Sequence, residues 1–402
     1  MSVIAVERMS KVHSDIRGPL FVEANKMAAA GIPVLKLNTG NPGTFEFKMP
    51  ASVREALLAN VDGAVAYCDV KGMPAARQAI CDYHRKNGLD LSMDRIFIGN
   101  GVSEIASMIA TALFAPGDEI LMPAPCYSLW TNQAYIAGAQ PVLYICDEQS
   151  DWYPDMEDIR SKITDKTKAI LLINPNNPTG AVYPLELLEQ IVELAREKHL
   201  MIISDEIYDR LIMDDIPYTS VASIAKDIPV LTCNGLSKSH IICGFRCGWV
   251  AITGPEKEAN EITEAIQKLA AMRLCGNALT QLVIPAAMAD PESTREMLVP
   301  GGRLYEQRRA TTEALDKIDG ITYVKNRAAF YLFPKVDVKK FGITSDKQFA
   351  LDVLHGTNVL FVPGSGFDWQ QPDHFRIVML PEPAEITAAM ERIGKFLETY
   401  HA

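Results

Sequence analysis

The residues that could do chemistry lie in three short polar stretches, each following an apolar run. Asn174-Pro175-Asn176-Asn177-Pro178-Thr179-Gly180 follows residues 169–173, Asp205-Glu206-Ile207-Tyr208 follows 200–204, and Asn234-Gly235-Leu236-Ser237-Lys238 follows 229–233. Short apolar runs bounded by turn residues read as buried strands, so the polar groups stand at the strands' carboxyl ends. In an open α/β sheet ligands bind outside those ends, and the three stretches would converge on one crevice. A lysine pointing into it is partly desolvated, and burial lowers an ammonium's pKa toward the neutral, nucleophilic amine that a Schiff-base lysine needs. Taken singly, a lysine is more often a solvated loop residue. Its company decides the matter: Arg246 stands eight residues further on, in Gly244-Phe245-Arg246-Cys247-Gly248.

A fourth stretch could hold an anion. Gly99-Asn100-Gly101-Val102-Ser103-Glu104 follows a strand-like run and opens a helix reaching about residue 114. Such a turn offers free backbone N–H groups and the positive end of a helix dipole to a phosphate. It lacks Gly-x-Gly-x-x-Gly and the Gly-Lys-Ser of a P-loop, which disfavours a dinucleotide or ATP. Arg376 in His374-Phe375-Arg376-Ile377-Val378 is a second candidate. A guanidinium among apolar neighbours needs a carboxylate to fork onto, either a ligand's or that of an Asp or Glu at a domain edge.

The elements that must position these residues alternate. Strand signals at 95–98, 119–122, 141–146, 169–173, 201–204, 229–233 and 248–253 are interleaved with helical ones, the pattern of crossover units on a mostly parallel sheet. Pro123 to Tyr127 is expected to begin one of the helices. Before the sheet lie an amphipathic segment at 19–30 closed by Gly31, a strand at 34–38 broken by Gly40-Asn41-Pro42-Gly43, and helices at 53–59 and 74–87. From Pro255 a long helical region, interrupted near Gly276, runs to about 289 as a bridge. After Pro300-Gly301-Gly302 strands dominate at 321–324, 329–336, 359–362 and 375–379. The expected organisation is an arm at 1–45 packing on the small domain and substrate site, a large α/β domain at 46–290, and a smaller α+β domain at 291–402.

Composition narrows the classes. A chain of 402 residues, 48% hydrophobic, supports a sizeable core in more than one domain. A net charge of -11 with no Lys/Arg-rich run disfavours nucleic-acid partners. The eight cysteines are scattered, without a Cys-x-x-Cys pair, which points to a reducing compartment, the cytoplasm by default. Cys243 and Cys247 have no companion pair to complete a metal site, so no metal is expected. No apolar run reaches the roughly 18 residues of a membrane span, and no leader-like apolar region opens the chain.

Asn-Pro-x-Asn-Pro-Thr-Gly, then Asp-x-x-Tyr, then Ser-Lys with Arg at plus eight resembles the active-site set of fold-type I, pyridoxal-phosphate-dependent aminotransferases of class I/II. The resemblance covers nearly the whole chain and implies a transaminase working as a homodimer on amino acids and 2-oxo acids. It assigns Lys238 as the Schiff-base lysine and proton carrier, Asp205 as partner of the pyridine nitrogen, and Asn177 and Tyr208 as partners of the ring oxygen. Gly101, Val102, Ser103, Ser237 and Arg246 fall at phosphate-binding positions, Tyr127 at the ring-stacking one, and Tyr67 at that of a tyrosine lent to the neighbouring subunit's phosphate. Gly40, Asn177 and Arg376 match positions that meet the substrate carboxylate, with Arg17 or a partner residue for a second carboxylate.

Ile16-Arg17-Gly18-Pro19, Asp147 to Trp152, Met272-Arg273-Leu274-Cys275 and Pro300 to Tyr305 are similar to segments of bacterial alanine aminotransferases that use glutamate and pyruvate. The implied reaction is transfer from L-alanine to 2-oxoglutarate; other or broader amino acid ranges, or C–S β-lyase chemistry on the same fold, are the alternatives. A sensing module of a transcription regulator would need a basic domain that the first 45 residues are too short to supply. Two positions depart from the pattern. Gly235 replaces a phosphate-binding Ser of many class I members, and Ser14 stands where alanine aminotransferases often carry Tyr.

Overall fold

The computed structural model describes residues 5–402. Short strand β1 (Leu35–Lys36) precedes the main sheet, formed by β2 (Ile96–Asn100), β3 (Glu119–Ala124), β4 (Gln140–Asp147), β5 (Tyr153–Pro154), β6 (Thr167–Ile173), β7 (Met201–Asp205), β8 (Val230–Gly235) and β9 (Cys247–Thr253). Their order is β2-β9-β8-β7-β6-β3-β4-β5. The run from β8 to β4 is parallel, whereas β9 and β5 are antiparallel to their neighbours.

Continuous apolarity in β6 and β7 follows from burial on both faces. Ile170 and Leu172 enter one core cluster with Ile202, while Ala169, Leu171 and Ile173 enter the other with Ile203. Helices cover each face. Leu185–Glu197 buries Leu187, Leu188, Ile191, Val192, Leu194 and Ala195, and Val102–Leu113 buries Ile105, Ala106, Met108, Ile109 and Ala110. Each such Leu or Ile contributes roughly 1.5–3 kcal/mol by leaving water. The helix expected from Pro123 starts only at Leu129, because Pro123 and Ala124 complete β3 beside β4.

The bridge is three helices, Glu256–Met272, Ala278–Gln281 and Ile284–Ala289. The break falls where Leu274 takes a φ of 70° and Gly276 passes so close to Ile98 that a Cβ would lie 3.0 Å from its carbonyl oxygen. Beyond it come β10 (Ile321–Thr322), β11 (Tyr331–Leu332), β12 (Lys335–Val336), β13 (Val359–Leu360), β14 (Val362–Pro363) and β15 (Phe375–Val378). The run at 329–336 is thus two strands, β11 on β15 and β12 on β10. β1 adds in parallel to β13, attaching the amino-terminal segment to this second unit. Its core gathers Phe349, Phe361, Phe375 and Ile377 among others. Among the described residues no helix is long and apolar enough to cross a membrane.

Candidate active site

The ends of β6, β7 and β8 are stitched together just beyond the strands: the Asn174 amide donates to the Asp205 carbonyl at 3.0 Å and the Glu206 amide to Cys233 at 2.8 Å. Asp205 closes β7 and is buried. Its Oδ2 accepts from Trp130 Nε1 at 2.9 Å and its Oδ1 from the Ile207 amide at 3.3 Å. Burial pushes the carboxyl up to about 6, against those two hydrogen bonds and the charge of Lys238. Such a carboxylate is poised to stabilise a cation brought against it.

Lys238 Nζ donates to the Gly40 carbonyl at 2.8 Å, with Cys243 Sγ 3.7 Å away. Burial lowers its pKa, but Tyr331, Cys243 and Tyr127 act the other way and the net direction is upward. The expectation of a depressed lysine pKa is therefore corrected. The amine faces a carbonyl oxygen and three groups that turn negative on ionising, and together these favour the ammonium. Gly40 must be glycine here, since a Cβ would stand 2.1 Å from Tyr331 Oη.

Arg376 is fully buried on β15. Its Nη1 donates to Asn177 Oδ1 at 3.0 Å, its Nη2 to the Asn38 carbonyl, and its Nε has no partner. Rings of Tyr331 and Phe367 lie against the guanidinium at 4.4 and 4.6 Å. Burial lowers its pKa. The internal ion pair that sequence left open does not form, since both partners are neutral oxygens. A buried cation with an orphaned N–H is costly unless an anion completes it. Tyr208 Oη donates to Tyr331 Oη at 3.0 Å, and burial raises its pKa. Tyr331 therefore touches the Tyr208 and Arg376 groups and lies beside Lys238.

The turn expected to hold an anion is built by close approach. Gly101, with φ +81°, caps the helix Val102–Leu113, and a Cβ on it would fall 2.3 Å from Arg246 Nη2. Arg246 itself takes a left-handed φ of 56° and donates from Nη1 to the Cys243 carbonyl at 3.0 Å. Gly248 packs so tightly on the turn that a Cβ would lie 2.5 Å from the Val102 amide. Cys243 Sγ donates to the Ser237 carbonyl at 2.8 Å, linking this turn to the lysine loop. Ser103 is exposed at the helix start.

Tyr127 is half-buried, and burial raises its pKa. Tyr67 and Arg17 are not gathered in: Tyr67 is 79% exposed, and Arg17 is exposed in a short turn of the arm. Trp130, Asn38 and Tyr331 belong to the site and were not singled out by sequence. Trp130 lies three residues after Tyr127, in the first turn of the helix that begins at Leu129, and that nearness in sequence is a usable signal. Tyr331 sits in an ordinary apolar run and carries none.

Residues 32–393 match the family described as aminotransferase class I and II. The chain is similar to glutamate-pyruvate aminotransferase AlaA of Escherichia coli strain K12, 46% identical over 400 residues covering 98% of this chain and 99% of that one. Alanine aminotransferase of Mycobacterium tuberculosis strain H37Rv is 43% identical over 395 residues, covering 98% and 92%. Among solved structures, an aminotransferase from Escherichia coli superposes with a TM-score of 0.98 at 45% identity, covering all of both chains. An alanine aminotransferase from Pyrococcus furiosus gives 0.93 at 40%, covering 98% and 100%. With its sheet order, its lysine loop and these matches, the chain belongs to the class I and II aminotransferases.

Proposed function

We propose that this enzyme transfers the amino group of L-alanine to 2-oxoglutarate, giving pyruvate and L-glutamate. Relatives 43–46% identical carry the names glutamate-pyruvate and alanine aminotransferase, which supports that substrate pair. The observation that carries the chemistry is Arg376, a buried guanidinium with an orphaned Nε, lying over the ring of Tyr331, a residue that also acts on the charge of Lys238.

The family's cofactor is pyridoxal 5'-phosphate. The residues suit it: a glycine cradle at Gly101 with a guanidinium at its edge, and a buried carboxylate at Asp205 with no cationic hydrogen-bond partner. When bound, it supplies an electron sink for the charge that develops at the substrate's α-carbon. In our reading Arg246, Ser237 and the turn Gly101-Val102-Ser103 hold its phosphate, and Asp205 holds its ring nitrogen protonated. Asn177 and Tyr208 hydrogen-bond its ring oxygen, and Tyr127 covers its face. Lys238 anchors it, and the freed amine moves the proton at the substrate's α-carbon, once it has given up its own proton. Arg376 grips the α-carboxylate with Asn177 and the Gly40 backbone, and Arg17 is the arm's cation for a second carboxylate.

Val65, Tyr67 and Met272 are 89%, 79% and 81% exposed, which favours a partner surface there. We propose a homodimer in which Tyr67 reaches the neighbour's phosphate site. The division into 1–45, 46–290 and 291–402 and a reducing, cytoplasmic setting complete the reading; eight free cysteines, one of them beside Lys238, are in keeping with the latter.

The deciding experiment is the absorption spectrum of the loaded enzyme. The cofactor's visible band should fade with L-alanine and return with 2-oxoglutarate. A band indifferent to alanine removes the proposed donor, and pyruvate with ammonia from cysteine conjugates would mean elimination instead of transfer.

A further inference from the structure

His13 sits where three elements meet. Its Nδ1 lies 3.3 Å from Asp15 Oδ2 on the arm, and its Nε2 3.3 Å from Asp368 Oδ1, which follows the turn Gly364–Phe367 of the second unit. From the helix Leu129–Ala137 on the main sheet, Asn132 grips the His13 backbone twice. Its Oδ1 accepts from the His13 amide at 3.0 Å and its Nδ2 donates to the His13 carbonyl at 2.6 Å. Asp368 accepts in turn from Thr131 Oγ1 of that helix at 2.9 Å. One residue thus ties the arm to both units.

Three residues further on, the arm reaches the site. The Ile16 carbonyl accepts from Asn38 Nδ2 at 2.6 Å, and the Asn38 carbonyl accepts from Arg376 Nη2. Asn38 and Arg376 are both buried, so water cannot readily replace a lost partner.

We propose that His13 is a positioning residue for the substrate's α-carboxylate: held between Asp15 and Asp368, it pins the arm so that Ile16 fixes Asn38 and Asn38 fixes the fork of Arg376. The inference rests on the reading of Arg376 as the carboxylate ligand. Three residues of backbone join His13 to Ile16, and hydrogen bonds run from Ile16 through Asn38 to the guanidinium.

The pin works through charge. Hydrogen bonds to Asp15 and then Asp368 raise His13 to about 9, with burial opposing them. Other charged or titratable groups face the cluster. Lys347, on the helix Asp346–Thr357, lies 3.4 Å from Asp15 Oδ1, and Tyr135, on the helix Leu129–Ala137, has Lys11 over its ring at 5.5 Å. Lys347 shares Asp15 with the ring but does not reach Asp368, so it cannot replace His13 as the link between units. Because the folded pKa lies above the ordinary 6.5, the pin is complete below about pH 6.5 and is lost as pH rises through about 9.

The test compares wild type, His13→Ala and His13→Arg as loaded enzymes. At pH ~7 His13→Ala should show a KM for L-alanine raised about fivefold, the worth of one partly exposed ion pair, with kcat within about twofold and cofactor affinity unchanged. Wild-type KM should climb as pH passes about 9 and meet that of His13→Ala, whereas the fixed cation of His13→Arg should keep the neutral-pH value and lack the climb. A readout without turnover is trypsin cleavage after Lys11 and Arg17, expected to be faster in His13→Ala than in wild type at neutral pH. Wild-type KM in His13→Ala, or an arm cut no faster, overturns the proposal. If wild type fails to transaminate alanine, the functional reading falls, and the cleavage rates still decide whether His13 pins the arm.

Discussion

Trp130 Nε1 donates a 2.9 Å hydrogen bond to Asp205 Oδ2, joining the first turn of the helix Leu129–Ala137 to the end of β7. One oxygen of the carboxylate is thereby fixed, and the other meets only a backbone amide at 3.3 Å. The pair holds the carboxylate in a single orientation beside the lysine loop.

That orientation has a pH signature. Burial raises Asp205 from 3.8 to about 6, so in cofactor-free protein its contribution to stability is full below about pH 4 and is lost as pH rises through about 6. The loss amounts to about 3 kcal/mol, and a cation against Oδ1 would offset it. Melting temperatures of wild type and Asp205→Asn should diverge between about pH 4 and 6.5 without cofactor. Added pyridoxal phosphate should raise the wild-type value more above pH ~6 than below. An equal gain at both ends would reject Asp205 as the partner of a bound cation.

Gly101→Ala addresses the phosphate cradle. The backbone at φ +81°, ψ 166° is a region that L-residues enter at a cost of about 1–3 kcal/mol. The new methyl would also displace Arg246, whose Nη2 would be 2.3 Å away. Cofactor Kd, titrated by fluorescence, should rise about tenfold or more while the far-ultraviolet spectrum stays unchanged. Wild-type affinity would show that the turn does not meet the phosphate.

Much of this site was legible in sequence because strand ends leave a clear mark. Asp205, Asn177 and Lys238 each follow a short apolar run bounded by turn residues, which reads as a central strand, and the structure buries those runs on both faces. What stayed hidden depends on contacts between distant segments. Asn38 reaches Arg376 across 338 positions, and Tyr208 meets Tyr331 across 123, neither with any local periodicity to announce it. The lysine's pKa went wrong for the same reason: desolvation can be inferred from a strand, but the opposing Tyr331 and Tyr127 come from elsewhere in the chain. The helix expected at Pro123 failed locally, because pairing with β4 outweighed a proline-led helix start.

Arg376→Ala should act on binding. Removing one side of a charge-assisted pair costs on the order of 2–5 kcal/mol, so KM for L-alanine should rise at least about thirtyfold. Cofactor content should not change, since Lys238, Asp205, Arg246 and the Gly101 turn, which hold the cofactor in this reading, are not among the guanidinium's hydrogen-bond partners. Arg376→Lys should recover little, because an ammonium cannot fork onto a carboxylate while holding Asn177. An unaltered KM in either variant would reject the assignment.

Val65→Asp tests the proposed dimer. Among the described residues Val65 is the most exposed of the large apolar side chains, at 89%, two residues from Tyr67. In an isologous two-fold interface a single substitution appears twice, so each dimer would bury two uncompensated carboxylates. Each unpaired buried charge costs on the order of 3–5 kcal/mol, enough together to dissociate an interface of nanomolar affinity at micromolar protein. Sedimentation velocity should therefore find a monomer near 44.3 kDa whose circular dichroism matches wild type and whose activity is lost along with the neighbour's Tyr67. A variant that keeps the wild-type mass would place the partner surface elsewhere, and a monomer with full activity would show that each site is complete within one chain.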